Sequence, residues 1–167
     1  MALYGQMNET MQAILGQVMQ HQDLLKFLYY TTNDLNVEEA SDLSDAQRVQ
    51  VKRENVYGYR KLPLNNQSEM KPYLCMEYGS KTYHMEQNKF FNGNEVVFYI
   101  FCEGSLDPTQ NGSRVLAIEA CLRALFDGGQ VEAIGKSKLK YSEPLGIQNT
   151  NLVGRRVSVI FYDFEQD

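Results

Sequence analysis

Hydrophobic residues recur at helical spacing in two separated stretches of the chain. The first stretch follows Asn8, a suitable N-cap residue, and continues to about Tyr30, with an interruption at His21-Gln22-Asp23. The second follows the turn Asn111-Gly112-Ser113 and ends at Gly128-Gly129. Its apolar positions are Val115, Ile118, Leu122, Leu125 and Phe126. The pattern therefore predicts two principal helices.

Apolar runs between and after these helices predict strands. Residues 73–78 and 95–103 precede the second helix, and residues 134–141 and 154–164 follow it. Residues 95–103 are apolar at both odd and even positions, which indicates a strand buried on both faces or covered by a neighbouring subunit. Asn92-Gly93-Asn94 predicts a turn just before this strand.

The order of helix, strands, helix, strands predicts an α+β fold. In this fold the two principal helices pack on one face of a mainly antiparallel sheet. A length of 167 residues suits a single domain, residues 1–167. Such a chain can bury enough surface to fold without a disulfide or a metal.

Residues 33–70 carry the weakest pattern in the chain. The acidic part, residues 33–45, leads into a short helix that ends near Val51, with Ser41 or Ser44 as its cap and Gln47 as the N3 partner of Ser44. Residues 53–70 contain Pro63 and no clear period, so we predict a long loop region that becomes ordered on assembly.

Composition argues against several classes of protein. The formal net charge of -5 disfavours a dedicated nucleic-acid binder, which normally has a basic patch. The three cysteines, Cys75, Cys102 and Cys121, match no metal motif, so we expect buried free thiols in a reducing compartment. No segment reaches the length of about 20 apolar residues that a membrane span needs.

The sequence also lacks a recognisable reactive constellation. The two histidines, His21 and His84, are few and distant from each other, and no nucleophile, phosphate loop or dinucleotide turn is visible. We therefore expect no enzyme activity and no catalytic, cofactor-binding or metal site.

Two groups of basic residues are candidates for contact with another protein. Lys136, Lys138 and Lys140 alternate along one predicted strand, so they project from one side. This arrangement is typical of a solvated sheet face or of an edge strand guarded by lysine, and the functional alternative is a salt-sensitive contact with an acidic neighbour. Arg155 and Arg156 are adjacent in a strand and so cannot face the same partner.

Several segments have a recognisable order and character: Leu24-Leu25-Lys26-Phe27-Leu28-Tyr29-Tyr30, Val96-Val97-Phe98-Tyr99-Ile100-Phe101, the helix 114–126, Ile134-Gly135-Lys136, Gly154-Arg155-Arg156 and Phe161-Tyr162-Asp163-Phe164. In these segments the sequence resembles the tail-terminator and tail-completion proteins of tailed bacteriophages, within the head-to-tail connector group.

The resemblance implies a curved sheet and a structural role in the virion. Proteins of this group form a hexameric ring on the head-proximal end of the tail tube, between the tube protein and a head-side neck or stopper protein. DNA passes through the lumen without specific binding. The implied location is the neck at the head-tail junction, after synthesis in the host cytoplasm, with no cofactor and no membrane.

On this hypothesis, neighbouring subunits contact aromatic, apolar and basic side chains and the segment 33–70. The candidate residues are Tyr29, Tyr30, Leu62, Leu64, Tyr99, Phe101, Lys136, Lys138, Lys140, Arg155 and Arg156. Alternatives are another ring of the same apparatus (a head-completion stopper, a tail tube or a baseplate component), a small enzyme, or a binding module with an unrecognised site.

Overall fold

A sheet with helices on one face forms the described part of the chain, which comprises residues 2–59, 71–84, 91–131, 135–146 and 151–164 of a computed structural model. Its helices are α1 (Ala2–Gln20), α2 (Gln22–Tyr29), α3 (Asp45–Glu54) and α4 (Arg114–Phe126). Its strands are β1 (Val56–Tyr57), β2 (Tyr73–His84), β3 (Phe91–Glu103), β4 (Pro108–Thr109), β5 (Gly112–Ser113), β6 (Gln130–Val131), β7 (Gly135–Leu145) and β8 (Leu152–Phe164).

The sheet topology confirms the predicted α+β class. Six strands pair in the order β1-β2-β3-β8-β7-β6, and β4 pairs with β5 in a separate hairpin. In the six-stranded sheet, β1 and β2 run parallel and the other neighbours run antiparallel. The central strand β3 pairs with β8 from Phe91 opposite Phe164 to Glu103 opposite Leu152.

The first predicted helix is two helices. His21 has an extended backbone between α1 and α2, and its Nδ1 accepts a hydrogen bond of 3.3 Å from the amide of Leu24. His21 is therefore the cap of α2 and accounts for the interruption in the apolar pattern. Asn8 lies inside α1, so its predicted capping role is wrong, because the helix already begins at Ala2.

The cap of α3 agrees with the sequence prediction. The Ser44 side chain accepts from the amide of Gln47, and the Gln47 side chain accepts from the amide of Ser44, which completes a capping box. The helix extends beyond Val51 to Glu54 and leads directly into β1. The predicted loop therefore begins later than residue 53. Residues 60–70, including Leu62 and Leu64, lie outside the described residues.

The predicted turn at Asn92-Gly93-Asn94 is wrong. These residues continue β3 and pair with Thr82–His84 on one side and with Phe161–Asp163 on the other. Strands on both sides satisfy the backbone hydrogen bonds of these residues, so the tertiary pairing overrides the local preference for a turn.

The main core lies between the helices and the sheet. Phe126 of α4 stacks on Phe98 of β3, with ring centroids 5.4 Å apart, and meets Phe161 of β8 edge to face at 5.6 Å. On the opposite side of the sheet, a smaller buried cluster consists of Tyr73, Cys75, Val97, Tyr99 and Phe101. Strand β3 is thus buried on both faces, as its sequence predicts.

The three cysteines are free and buried, as predicted. Burial raises the pKa of Cys102 and of Cys121 to about 12. Ionisation therefore begins near pH 9 in the unfolded chain, the value for an unperturbed thiol, and only much higher in the folded chain. Below pH 9 each thiol should make its full contribution to stability. Above pH 9 the free energy of unfolding should fall by about 1.4 kcal/mol per pH unit for each thiol.

Urea unfolding of the reduced protein at pH 7, 9 and 10 measures this loss. The double variant Cys102→Ala/Cys121→Ala is the control, because its unfolding free energy should lack the corresponding decrease above pH 9. An equal pH dependence in the wild type and the double variant would contradict the prediction.

Candidate interaction surface

One of the two faces of the sheet is not covered by any helix of the described residues. Ser137 and Leu139 of β7 are turned towards the helices, whereas Lys136 and Lys138 are exposed on the other side. Lys136 pairs with Tyr162 of β8, and Lys138 pairs with Ile160. We call this side the open sheet face; it is exposed at Lys136 and Lys138, whereas the β3 residues that share it, such as Tyr99 and Phe101, are buried.

A buried carboxylate on the open sheet face holds Lys140. Glu95 accepts a hydrogen bond from the hydroxyl of Ser158, and its Oε1 lies 3.7 Å from Nζ of Lys140. The register shifts between Leu139 and Tyr141, so Lys140 occupies a bulge in β7. A Cβ at Gly79 would lie within 2.7 Å of atoms of the Glu95 side chain, so a larger residue there would force Glu95 to move.

Arg156 also belongs to the open sheet face. Its Nη1 lies 3.5 Å from Oε1 of Glu143, and its guanidinium carbon lies 5.2 Å from the centre of the Tyr141 ring. The buried Nε of Arg156 has no hydrogen-bond partner among the described residues. Arg156 therefore presents on this face a guanidinium whose hydrogen-bond donors are only partly paired.

Arg155 points the opposite way, as expected for adjacent strand residues. Its Nε forms an ion pair with the buried carboxylate of Glu119 in α4 and donates to Ser142 Oγ at 2.8 Å. Glu119 also pairs with Arg123 at 2.7 Å. Arg155 thus joins the sheet to α4 within the chain.

Strand β7 is close to an edge of the sheet. It pairs with β8 along Lys136–Leu145 but, as far as the chain is described, with β6 only at Gly135 and Lys136. The exposed Lys138 and Pro144, which has no amide hydrogen to donate, are both typical of an edge strand. This arrangement is the one expected of a strand guarded by lysine.

The aromatic candidates make contacts within the chain. Tyr29 and Tyr30 are partly buried and meet edge to face at 5.2 Å, and the Tyr30 hydroxyl donates to the carbonyl of Ser41 at 3.2 Å. Tyr99 is only 4% exposed and Phe101 only 1%, so both leave little surface for a neighbour to contact.

We call residues 33–45 the acidic segment. They have no regular structure over most of their length, yet they pack against the core. Leu35, Val37 and Leu43 are buried in the core on the helix side of the sheet. Between and beside these residues, exposed carboxylates face solvent. These are Asp34, Glu38, Glu39, Asp42 and Asp45.

Two polar side chains anchor the middle of the acidic segment. Lys26 of α2 is buried, and its Nζ donates to the carbonyl of Val37 at 3.3 Å and lies 2.9 Å from Oδ1 of Asp42. Asn111 Oδ1 accepts from the amide of Val37 at 3.1 Å. The segment is therefore held against α2 and against the turn that precedes α4.

Arg114, the first residue of α4, fixes the start of the same segment. Its side chain is fully buried and donates to the carbonyls of Phe27, Tyr30, Thr32 and Leu106. Burial lowers the pKa of this guanidinium. Sequence reasoning missed Arg114; the only local sign is a cation placed directly before the apolar positions of α4.

Asn55 is a second polar anchor that the sequence pattern did not reveal. Its Nδ2 donates to the carbonyl of Leu28 at 3.0 Å and to that of Pro72 at 2.9 Å. The residue is buried at the end of α3, and its carbonyl accepts from Leu74. Asn55 therefore connects α2, α3 and β2 at one point.

A shallow groove of about 330 Å³ lies between α1 and α3. It is lined by Gln12, Leu15, Gly16, Met19, Asp45, Arg48, Val49 and Lys52. The described residues contain no group of three or more histidine, cysteine or carboxylate side chains placed to hold a metal ion. Among the helices of the described chain, none has the length and apolar character needed to cross a membrane.

Comparison with known proteins gives one informative result. A search of curated proteins found no significant match. The model of the YomW family matches residues 21–161, which begin at the break between α1 and α2 and end within β8. The match covers well over half of the chain, so this protein belongs to YomW, a phage-derived family of the Bacillus prophage type.

Proposed function

We propose that this protein is a structural component of a tailed phage, a tail terminator that forms a ring in the neck. The ring caps the tail tube and joins it to the head through a neck or stopper protein. Its role is geometric rather than catalytic, and it requires no cofactor. DNA passes through the lumen without specific binding.

The difference between the two sides of the fold is the observation that supports this proposal. One side carries the helices and the acidic segment, and the other carries the open sheet face with Lys136, Lys138 and Arg156. A tube grows because each ring offers the next a matching surface. A terminator must bind that surface on one side and present a different surface on the other.

Family and charge are consistent with the same role. Membership of a phage-derived family is consistent with a role in a phage particle. The net charge of -5 suits a wall that lets DNA pass, because a strongly basic wall would retain DNA through counterion release.

Electron microscopy of tubes assembled with and without the protein tests the proposal. We expect a closed ring of identical subunits at one end of each tube, with about six subunits as the resemblance to tail terminators implies, and shorter tubes as the protein is added. Binding to the head-side portal complex instead of the tube would favour a stopper. A protein that remains monomeric beside growing tubes would contradict the proposed function.

Arg156→Gln is expected to weaken binding to the tube by about tenfold, because it removes a cation from the open sheet face. The ion pair with Glu143 is partly exposed, so we expect less than about 1 kcal/mol of lost stability. Tube binding is measured by co-sedimentation. Arg53→Gln, on the exposed side of α3, is the matched control, and an equal effect of both substitutions would contradict a specific role for Arg156.

A further inference from the structure

We propose that the open sheet face at Lys136 and Lys138 binds the acidic segment of a second copy of this chain. The contact is head to tail, between two different surfaces of identical molecules, and it uses only the end of the open sheet face at Lys136 and Lys138. Arg156, beside Glu143 towards the other end of β7, remains available for the tube. The contact specifies how neighbouring subunits of the proposed ring recognise each other, and in that sense it rests on the proposed function.

The two lysines are available for such a contact. Both are exposed, and neither forms an ion pair within the described residues. By contrast, Lys140 lies beside Glu95 and Arg156 beside Glu143. Pairing with β8 fixes the backbone beneath the two lysines, so their relative positions are set before a partner arrives.

The acidic segment offers the complementary charge. In the part of the chain that the structure describes, Asp34, Glu38 and Glu39 form no ion pair, whereas Asp42 already pairs with Lys26. The residues between these carboxylates are anchored in the core, so the segment loses little conformational freedom when it binds. No lysine or arginine occurs in residues 33–45.

The two surfaces lie on opposite sides of the molecule. The buried residues of the acidic segment belong to the core on the helix side, while Lys136 and Lys138 project from the other face of the sheet. The acidic segment also leads into α3, which packs against β1 at one edge, whereas β7 lies near the other edge. One molecule therefore cannot join its own two surfaces.

This placement favours a second copy over other occupants. A contact between different surfaces of identical subunits propagates from one molecule to the next and closes into a ring when the rotation permits. DNA, a polyanion, is a less suitable occupant, because the net charge of -5 on the chain opposes its binding at two lysines. A second copy carries the same net charge, but its acidic segment presents only a few carboxylates in fixed positions, whereas DNA presents about one phosphate charge per 1.7 Å of helix axis.

Charge reversal on each side separately tests the contact. Lys136→Glu/Lys138→Glu makes both surfaces acidic, and Glu38→Lys/Glu39→Lys places two lysines in the acidic segment, opposite the lysines of the open sheet face. Each variant alone should be monomeric by analytical ultracentrifugation at low salt, where the wild type forms oligomers. An equimolar mixture should assemble again, because each variant then supplies the surface that the other lacks.

The wild type should also dissociate at high salt, with a dissociation constant about tenfold higher in 0.5 M than in 0.05 M salt, because exposed charges are screened. Matched controls are Lys52→Glu on α3 and Glu9→Lys on α1, both exposed, which should assemble like the wild type. Circular dichroism of every variant verifies that it is folded.

Wild-type protein that is monomeric at low salt, or variants that assemble like the wild type, would overturn the proposed contact. Failure of the mixture to assemble would overturn it as well. The proposed function fails independently: rings that assemble with this charge dependence but do not bind tail tubes would leave the contact intact and reject the terminator role.

Discussion

Arg114→Met is expected to lower the free energy of unfolding by about 3–5 kcal/mol, the largest effect that we predict for a single substitution. The guanidinium donates to four backbone carbonyls, those of Phe27, Tyr30, Thr32 and Leu106. Methionine fills part of the volume but donates no hydrogen bond. Each carbonyl that remains buried without a partner costs about 1–3 kcal/mol, and partial relaxation reduces the sum.

The position of these carbonyls explains why a cation is needed. Phe27 and Tyr30 lie at the C-terminal end of α2, where carbonyls lack partners inside the helix and carry the negative end of the helix dipole. The planar guanidinium has five donors in a fixed geometry, which suits several acceptors at once. Arg114→Lys keeps the charge but not this geometry, so it should recover only part of the stability.

Urea unfolding monitored by circular dichroism gives these values. Arg123→Met is the matched control, since Arg123 is an exposed arginine of the same helix and its partner Glu119 also pairs with Arg155. We expect the control to lose less than about 1 kcal/mol. Similar losses in Arg114→Met and Arg123→Met would show that the buried hydrogen bonds do not stabilise the fold.

Arg114 also connects stability to assembly. It fixes Thr32, the residue before the acidic segment. If that segment binds a second copy, Arg114→Lys should weaken assembly even at temperatures where the variant is folded, because the carboxylates lose part of their fixed arrangement.

The elements that the sequence predicted correctly are those with strong local signals. Ser44 caps α3 and Ser113 caps α4, each with its own side chain on a backbone amide. Gly128 follows α4 with a φ of 78°, a conformation that glycine adopts without strain. The alternation of side chains along a strand likewise predicts that Arg155 and Arg156 lie on opposite faces, and their ion pairs with Glu119 and Glu143 agree with it.

Errors arose where local preferences compete with tertiary contacts. Asn8 is a good capping residue, but nothing in the residues before it stops a helix, so α1 begins at Ala2. Asn92-Gly93-Asn94 has the composition of a turn, yet the strands on both sides extend β3 through it. A single sequence does not reveal which neighbours will be available to satisfy the backbone.

The interaction surface could be predicted only in part. The spacing of Lys136 and Lys138 predicts that both side chains lie on the same face of the sheet, because the alternation of side chains is a local property of a strand. The anchors of the acidic segment could not be found in this way. Arg114 contacts carbonyls more than eighty positions earlier in the chain, and such a pairing depends on how α2 and α4 pack.

Asn55→Asp is expected to lower the free energy of unfolding by about 2–4 kcal/mol at pH 7, although the side chain keeps its size. Asn55 acts as a donor to two buried carbonyls, those of Leu28 and Pro72. A carboxylate has no hydrogen to donate and would face both carbonyl oxygens. A protonated carboxyl can donate to one of them, so the fold favours the protonated form.

The pH dependence of this variant follows from that preference. Burial raises the pKa of the introduced carboxyl in the folded state above its value of about 4 in the unfolded state. The variant is therefore closest to the wild type below about pH 4, and it loses stability as the pH rises from there towards the folded-state pKa. Urea unfolding between pH 4 and pH 8, compared with the wild type at each pH, measures the loss.

Asn111→Asp is the control, because the side chain of Asn111 accepts a hydrogen bond whereas that of Asn55 donates two. Asn111 uses its oxygen to accept from the amide of Val37, and a carboxylate performs that function equally well. The residue is exposed, so the introduced charge remains in water and the cost should stay below about 1 kcal/mol at every pH in this range. Equal pH dependence in the two variants would mean that the donor role of Asn55 is not what the fold requires, whereas a loss confined to Asn55→Asp would identify its two hydrogen bonds as the connection between α2 and β2.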